Sequence, residues 1–106
     1  MPLHVMKFER FQDADRNDLA LAALEYCRSV SESDGVDHSR FFWVDPNEIA
    51  ILVHAEQGGW GPWSTQQPSR REAVALFALA DLCRNTMNEV WGDAKSGQAT
   101  YDLAHS

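Results

Sequence analysis

The residues best suited to chemistry lie in the middle of the 106-residue chain. His54 and Glu56 are separated by one residue, so on a strand their side chains share one face. A carboxylate beside an imidazole can orient the ring and raise its basicity, which is what a general base requires. His54 is therefore the candidate catalytic residue. The alternative is a polar pair at a strand end that meets only water or backbone.

The same residues are the only route to a metal site. Catalytic metal sites take about three protein ligands and structural sites about four. His4 could approach His54 from a neighbouring strand, whereas His38 is expected on the opposite face of the sheet. We predict no metal site, and no motif specifies a cofactor, since the chain has no GxGxxG and its GGWGPW stretch lacks the Lys and Ser/Thr of a phosphate loop.

The glycine-rich stretch GGWGPW carries Trp60 and Trp63. An indole left fully in water forgoes roughly 2 kcal/mol of burial free energy, so both rings are expected to dock on something. They could wall an aromatic pocket, because loops on rigid scaffolds commonly carry binding residues. They could equally plug the open end of the fold or meet a partner subunit.

Four further candidate ligand-binding residues precede this loop in one run, Arg40, Phe41, Phe42 and Trp43. Aromatic rings suit an apolar or aromatic ligand. Arg40 could bind a ligand carboxylate with its planar fork, or it could extend to the sheet edge and pair with an acidic side chain.

A hairpin positions these candidates. Residues 36–44 and 48–57 are predicted strands around the turn Asp45-Pro46-Asn47. With Asp45 opposite Glu48, Trp43 pairs with Ala50 and one face carries Phe41, Trp43, Ala50, Leu52 and His54. The other face then carries Phe42, Val44, Ile49, Ile51, Val53 and Ala55, with Arg40 and His38 towards its end. Both faces are apolar, so helices cover one and a second subunit is expected to cover the other.

The flanking segments complete the element order. Residues 3–11 are a predicted strand, and Asp13 or Asp15 caps a helix that runs to about Ser33. Gly35 then allows a left-handed turn. A second helix is predicted over 69–91, with Ser69 and Glu72 in capping-box positions, followed by a short strand over 99–103. Cys27 and Cys83 both fall in the helical patterns and are expected to be buried, reduced thiols.

Composition narrows the class of protein. The formal charge of −7 argues against a nucleic-acid partner, because neutralising phosphates requires a basic face. The N-terminus has no signal-peptide pattern, and no apolar run approaches the roughly 20 residues of a membrane span. We expect one cytoplasmic domain over 1–106.

The order strand, helix, strand, strand, helix, strand predicts an α+β, ferredoxin-like fold, with two helices on one face of a four-stranded antiparallel sheet. This order and the doubly apolar hairpin HSRFFWVDPNEIAILVHAE resemble the dimeric α/β-barrel superfamily, in which two such subunits pack sheet against sheet. Its members include small monooxygenases, haem-degrading enzymes and lactone isomerases.

Two functions stay open at this point. The resemblance implies a homodimer that binds a small apolar or aromatic ligand between sheet and helices, with monooxygenase-like activity. The alternative is a non-catalytic structural or regulatory module that binds no ligand, because the same fold hosts many unrelated functions.

Overall fold

The computed structural model describes residues 3–56, 60 and 68–91. Its strands form one antiparallel sheet in the order β2-β3-β1-β4, and both helices pack on the same face of this sheet. This confirms the predicted α+β, ferredoxin-like βαββαβ fold. The elements are β1 (Leu3–Arg10), α1 (Arg16–Ser31), β2 (Val36–Asp45), β3 (Glu48–Ala55), α2 (Arg70–Ala80) and β4 (Cys83–Trp91).

Helix α1 begins where the sequence indicates. The Asp15 carboxylate accepts the backbone N–H groups of Asn17 and Asp18 at 2.8 and 3.0 Å, and so satisfies two donors that have no partner within the helix. After α1, Gly35 adopts φ 83°, a left-handed conformation in which a side chain would be unfavourable. No helix in the described part of the chain is long and apolar enough to cross a membrane.

The second half of the predicted helix 69–91 is wrong. Ser69 caps α2 as expected, but the helix ends at Ala80, and the following residues form β4, paired with β1. Asn85, Thr86 and Asn88 are weak helix formers, and pairing with β1 decides their conformation. Cys83 therefore begins a strand and does not lie in a helix. Both Cys83 and Cys27 are buried. The predicted strand 99–103 lies outside the described residues.

The predicted register of the β2–β3 hairpin is wrong by one residue. Asp45 does face Glu48, but an irregularity between Trp43 and Asp45 shifts every pair beyond it. An extra residue of this kind is a β-bulge, and it exchanges the two faces of the strand relative to its partner. Phe41 consequently lies opposite Ile51, and His38 lies opposite His54 on the same face rather than on the other one.

The two faces of the sheet therefore differ from the predicted pair. We call the side covered by α1 and α2 the helix face. Its main residues are Phe8, Phe41, Trp43, Ile49, Ile51 and Val53, which belong to or pack against the core with Leu19 and Leu79. We call the other side the open face. Its main residues are Val5, His38, Arg40, Phe42, Ala50, Leu52, His54 and Trp91.

Candidate functional site

The predicted site residues lie on both sides of the sheet. Phe41 and Trp43 are on the helix face, and Trp60 packs against the same core. Arg40, Phe42 and His54 are on the open face. Trp63 lies outside the described residues. The structure thus brings the candidates together in two groups, not around one pocket.

His54 is stacked on His38, with ring centroids 4.2 Å apart and ring planes 23° apart. The Nδ1 atom of His38 is in turn 2.7 Å from the Asp37 carboxylate. Burial lowers the pKa of His54, and the nearby charges of His38 and Arg40 lower it further while Asp37 opposes them. His54 is therefore a neutral imidazole at neutral pH.

The expected partners of His54 are not beside it. No hydrogen bond joins it to Glu56 in the part of the chain that the structure describes, and the bulge supplies His38 in its place. His4 lies opposite Val53 and so belongs to the helix face, across the sheet from His54. Among the described residues no group of three or more His, Cys, Asp or Glu side chains could hold a metal ion.

Trp60, the loop tryptophan that the structure describes, contacts two buried polar side chains. The Trp60 indole donates its Nε1–H to Oε1 of Glu72 at 2.8 Å, and its ring meets the edge of His4 with centroids 5.1 Å apart. His4 and Glu72 are each only 5% exposed. Trp60 thus donates a hydrogen bond to a buried carboxylate and packs against the core in the described part of the chain.

Sequence patterns gave only a partial signal for this group. The Ser69–Glu72 spacing predicts the cap, and Ser69 Oγ does accept the Glu72 backbone N–H at 3.0 Å. The Glu72 carboxylate, however, is used by Trp60. Burial raises the pKa of Tyr26, and the Glu72 charge raises it further, while burial lowers the pKa of His4. These groups come from distant parts of the chain, and no spacing rule joins them.

An open cleft of about 470 Å³ lies between α1 and β2. Leu24, Cys27 and Phe41 give it an apolar wall. Ser39 and Arg40 also border it, but the Ser39 hydroxyl is buried and the Arg40 guanidinium lies over Phe42 on the open face. Burial raises the pKa of Cys27, so this residue stays a protonated thiol and acts as part of the apolar wall. Of the predicted ligand-binding residues, Phe41 and Arg40 line the cleft.

The other two aromatic residues of β2 lie elsewhere. The Arg16 guanidinium stands 4.9 Å from the centre of the Trp43 ring, so a residue at the start of α1 covers that indole. The Arg40 guanidinium is 5.8 Å from the centre of the Phe42 ring on the other side of the sheet. Both are cation–π contacts. Neither Trp43 nor Phe42 lines the cleft, and His54 does not line it either.

No protein-family model matches the chain, and no curated protein is significantly similar to it. Solved structures do match. SnoaB from Streptomyces nogalater, a cofactor-independent oxygenase, aligns over 87% of this chain and 91% of its own, with a TM-score of 0.68 and 10% identity. Rv0793 from Mycobacterium tuberculosis aligns over 88% and 95%, with a TM-score of 0.65 and 15% identity.

A candidate antibiotic biosynthesis monooxygenase from Deinococcus radiodurans aligns over 89% of this chain and 95% of its own, with a TM-score of 0.58 and 16% identity. At such identities the likeness concerns the fold and not the site residues. The chain has the same ferredoxin-like fold as these solved structures, and the resemblance is at the level of the fold.

Proposed function

We propose that the protein is a homodimer that binds a small apolar or aromatic molecule between sheet and helices and acts on it as a monooxygenase. The observation that carries the proposal is the cleft of about 470 Å³ beside Leu24, Cys27 and Phe41. Small-molecule sites usually measure about 300–1,000 Å³ and have mostly apolar walls. SnoaB, which has the same fold, is an oxygenase that needs no cofactor.

The open face supports the dimer. Val5, Ala50 and Leu52 form an apolar centre on it, and the large side chains of Phe42 and Trp91 are 48% and 49% exposed. The Lys7–Glu48 pair, joined at 3.7 Å, bridges the two central strands beside this apolar group. Large apolar side chains exposed together on one face commonly mark a protein interface. We propose that the open faces of two copies pack together.

The chemistry proposed for the cleft has a simple balance. One oxygen atom of O₂ enters the substrate as a carbonyl oxygen, the other leaves as water, and an oxidisable methylene of the substrate supplies the four electrons. The residues of this chain then have to hold the substrate and exclude water. Ser39 lines the cleft, but its hydroxyl is buried and does not face a ligand there. His54 stays a predicted catalytic residue, and it reaches only a ligand held on the open face.

The two thiols support the predicted compartment. Both Cys27 and Cys83 are free and buried, as expected for a protein of a reducing compartment. We propose a cytoplasmic location, which fractionation of the host would test.

Native mass spectrometry of protein purified from its own host tests the dimer and the ligand together. The expected spectrum shows two subunits and a retained small molecule. A monomer without any ligand would instead favour the non-catalytic module. Oxygen uptake with a polycyclic phenol that carries an oxidisable methylene, in the presence of a metal chelator, tests the reaction.

Two matched substitutions on α1 test whether ligand retention and oxygen uptake depend on the cleft. Leu24→Trp places an indole in the cleft and is expected to abolish ligand retention and oxygen uptake. Leu21→Trp is the control, because Leu21 is 66% exposed on the same helix and does not line the cleft. Equal uptake by both variants would place the reaction elsewhere.

A further inference from the structure

One row of residues crosses the open face from edge to edge. In the strand order β2-β3-β1-β4, the register of the sheet places side by side Arg40, Leu52, Val5 and Glu89. The row is therefore apolar in its centre, with a positive charge at one edge of the sheet and a negative charge at the other. Three strand spacings, or about 14 Å, separate the backbones of the two charged residues.

The described chain leaves these two charges without an ionic partner. Other charged residues of this face are paired within the chain, as Lys7–Glu48 at 3.7 Å and Arg84–Glu9 at 2.9 Å. Among the described residues, by contrast, neither Arg40 nor Glu89 has an ion pair. The Arg40 guanidinium lies 5.8 Å from the centre of the Phe42 ring, and the Glu89 carboxylate accepts the Trp91 indole N–H at 2.8 Å. Both charges are exposed and available to another molecule.

A second copy of the chain offers the matching charges. Two copies that pack face to face are related by a two-fold axis that lies between their sheets. When this axis runs along the strands, β2 of one copy lies over β4 of the other, and the row meets itself in reverse order. Arg40 then faces Glu89 of the partner subunit, and symmetry repeats the contact. Packed sheets are about 10 Å apart, a distance that the two side chains can bridge together.

A two-fold axis across the strands would give the opposite result. Strand β2 would then lie over β2 of the partner subunit. With the axis along this row, Arg40 would face a second Arg40, and Glu89 would face a second Glu89. Like charges that face each other weaken an interface, and opposite charges fix its register. The charge pattern therefore favours the axis along the strands.

The exposed rings of the open face favour the same axis. The register places Phe42 in one row with Met87, and His38 in another row with Trp91. An axis along the strands brings Phe42 over Met87 of the partner subunit, and Trp91 over His38 of the partner subunit. A thioether on an aromatic ring and a pair of rings are both favourable contacts. Phe42 and Trp91, each half-exposed in the single chain, would thus both be covered.

We propose that two open faces pack about a two-fold axis parallel to the strands, with Arg40 of each subunit bound to Glu89 of the other. Leu52 and Val5 lie between the two ion pairs and form the apolar centre of the contact. The inference rests on the dimer of the proposed function. It adds the relative orientation of the subunits and the residues that make the surface specific for a second copy.

Charge-reversal variants of the full chain test this arrangement by sedimentation velocity at low salt. Arg40→Glu and Glu89→Arg each place like charges opposite one another twice per dimer. Each variant is expected to raise the dimer dissociation constant at least about tenfold. The exchanged variant Arg40→Glu/Glu89→Arg restores opposite charges, so its constant should return to within about threefold of the original value. Added salt should reduce the differences, because exposed charges are screened.

Two controls on the helix side separate the contact from the total charge. Arg70→Glu and Asp81→Arg make the same changes of charge at exposed positions, at the start of α2 and at its C-cap. Neither should alter the dissociation constant more than about twofold. The chain has a formal charge of −7, so Glu89→Arg brings it nearer to zero. Total charge alone would therefore strengthen the dimer of this variant, whereas loss of the proposed contact weakens it.

Mixing the two single variants gives an independent measurement. One variant carries two acidic residues at these positions and the other carries two basic residues. The mixed dimer therefore has opposite charges at both contacts, and it should form more tightly than either variant alone. A mixture that associates no more tightly than the separate variants contradicts the contact.

The outcomes distinguish the inference from the proposed dimer. The original protein can be dimeric while neither single variant weakens it, while the controls weaken it equally, or while the exchanged variant fails to recover. Each of these results overturns the contact between Arg40 and Glu89 and leaves the dimer in place. An original protein that is monomeric at micromolar concentration overturns both the contact and the dimer.

Discussion

Alternate residues of the same strands form the two faces of the sheet, yet only the helix face is covered by helices. On the helix face Ile49, Ile51 and Val53 are fully buried beneath the helices. On the open face the intervening residues Leu52 and His54 remain partly exposed. Because one strand contributes both rows, the difference comes from what covers each face and not from the strand itself.

Both faces of the sheet hold buried polar groups. On the helix side the Trp60 indole donates a hydrogen bond to the buried Glu72 carboxylate, and Ser69 caps the helix that carries Glu72. The Oγ atom of Ser39 on the helix face and the Nε2 atom of His38 on the open face are both buried without a hydrogen-bond partner among the described residues. Unsatisfied polar atoms therefore do not distinguish the two faces, and the difference between them lies in the burial of their apolar side chains.

Alanine substitutions at two neighbouring positions of β3 should show the largest difference in stability between the two faces. Ile51→Ala removes a fully buried side chain and is expected to lower the free energy of unfolding by about 2–5 kcal/mol. Leu52→Ala, on the open face, should cost clearly less in dilute protein and more at concentrations where dimers form. Urea denaturation at two protein concentrations measures both. Equal, concentration-independent losses would contradict the proposed dimer.

A charge on the open face should weaken the dimer. Phe42→Asp places a carboxylate without a partner in the proposed interface and is expected to raise the dimer dissociation constant about 100-fold or more. Phe77→Asp is the control, because Phe77 is 74% exposed on α2, away from the open face. Sedimentation velocity distinguishes the variants. A wild-type protein that is monomeric at micromolar concentration would refute the dimer outright.

Local signals in the sequence were sufficient for most of the fold. Asp15 and Ser69 start their helices as predicted, because a cap depends on residues within one turn. The end of α2 was not predictable in this way. The residues after Ala80 fit a helical pattern, and only pairing with β1 makes them a strand.

The candidate site was less predictable because it depends on pairing and on distant contacts. The bulge beside Val44 exchanges the faces of β2, and both registers bury apolar side chains, so periodicity could not choose between them. His54 therefore has His38 as its neighbour. The contact of Trp60 with Glu72 joins residues 12 positions apart through a loop, and such contacts leave no periodic signal.

Substitutions at Trp60 test how much a buried hydrogen bond contributes to stability on the helix side of the sheet. Trp60→Phe keeps an aromatic ring but removes the indole N–H, which leaves the Glu72 carboxylate buried without that donor. The expected loss is about 1–3 kcal/mol in the free energy of unfolding, the usual cost of an unsatisfied buried acceptor. Trp60→Phe/Glu72→Leu removes both partners and should recover part of the loss. Thermal denaturation of the three proteins would show it, and additive losses would contradict a direct bond.

The smallest predicted effect is the pH dependence of stability that one histidine on each face contributes. Burial lowers the pKa of both His4 and His54 below 6.5, so the unfolded chain takes up protons first as the pH falls through about 6.5. Stability should therefore be constant above that pH and decrease below it, and His4→Gln or His54→Gln should each flatten the decrease. Denaturation between pH 7.5 and 5 measures the slopes. Only the contribution of His54 should grow with protein concentration, because a second subunit on the open face would bury it further. A concentration-dependent slope for His4 instead would place the subunit contact on the helix side.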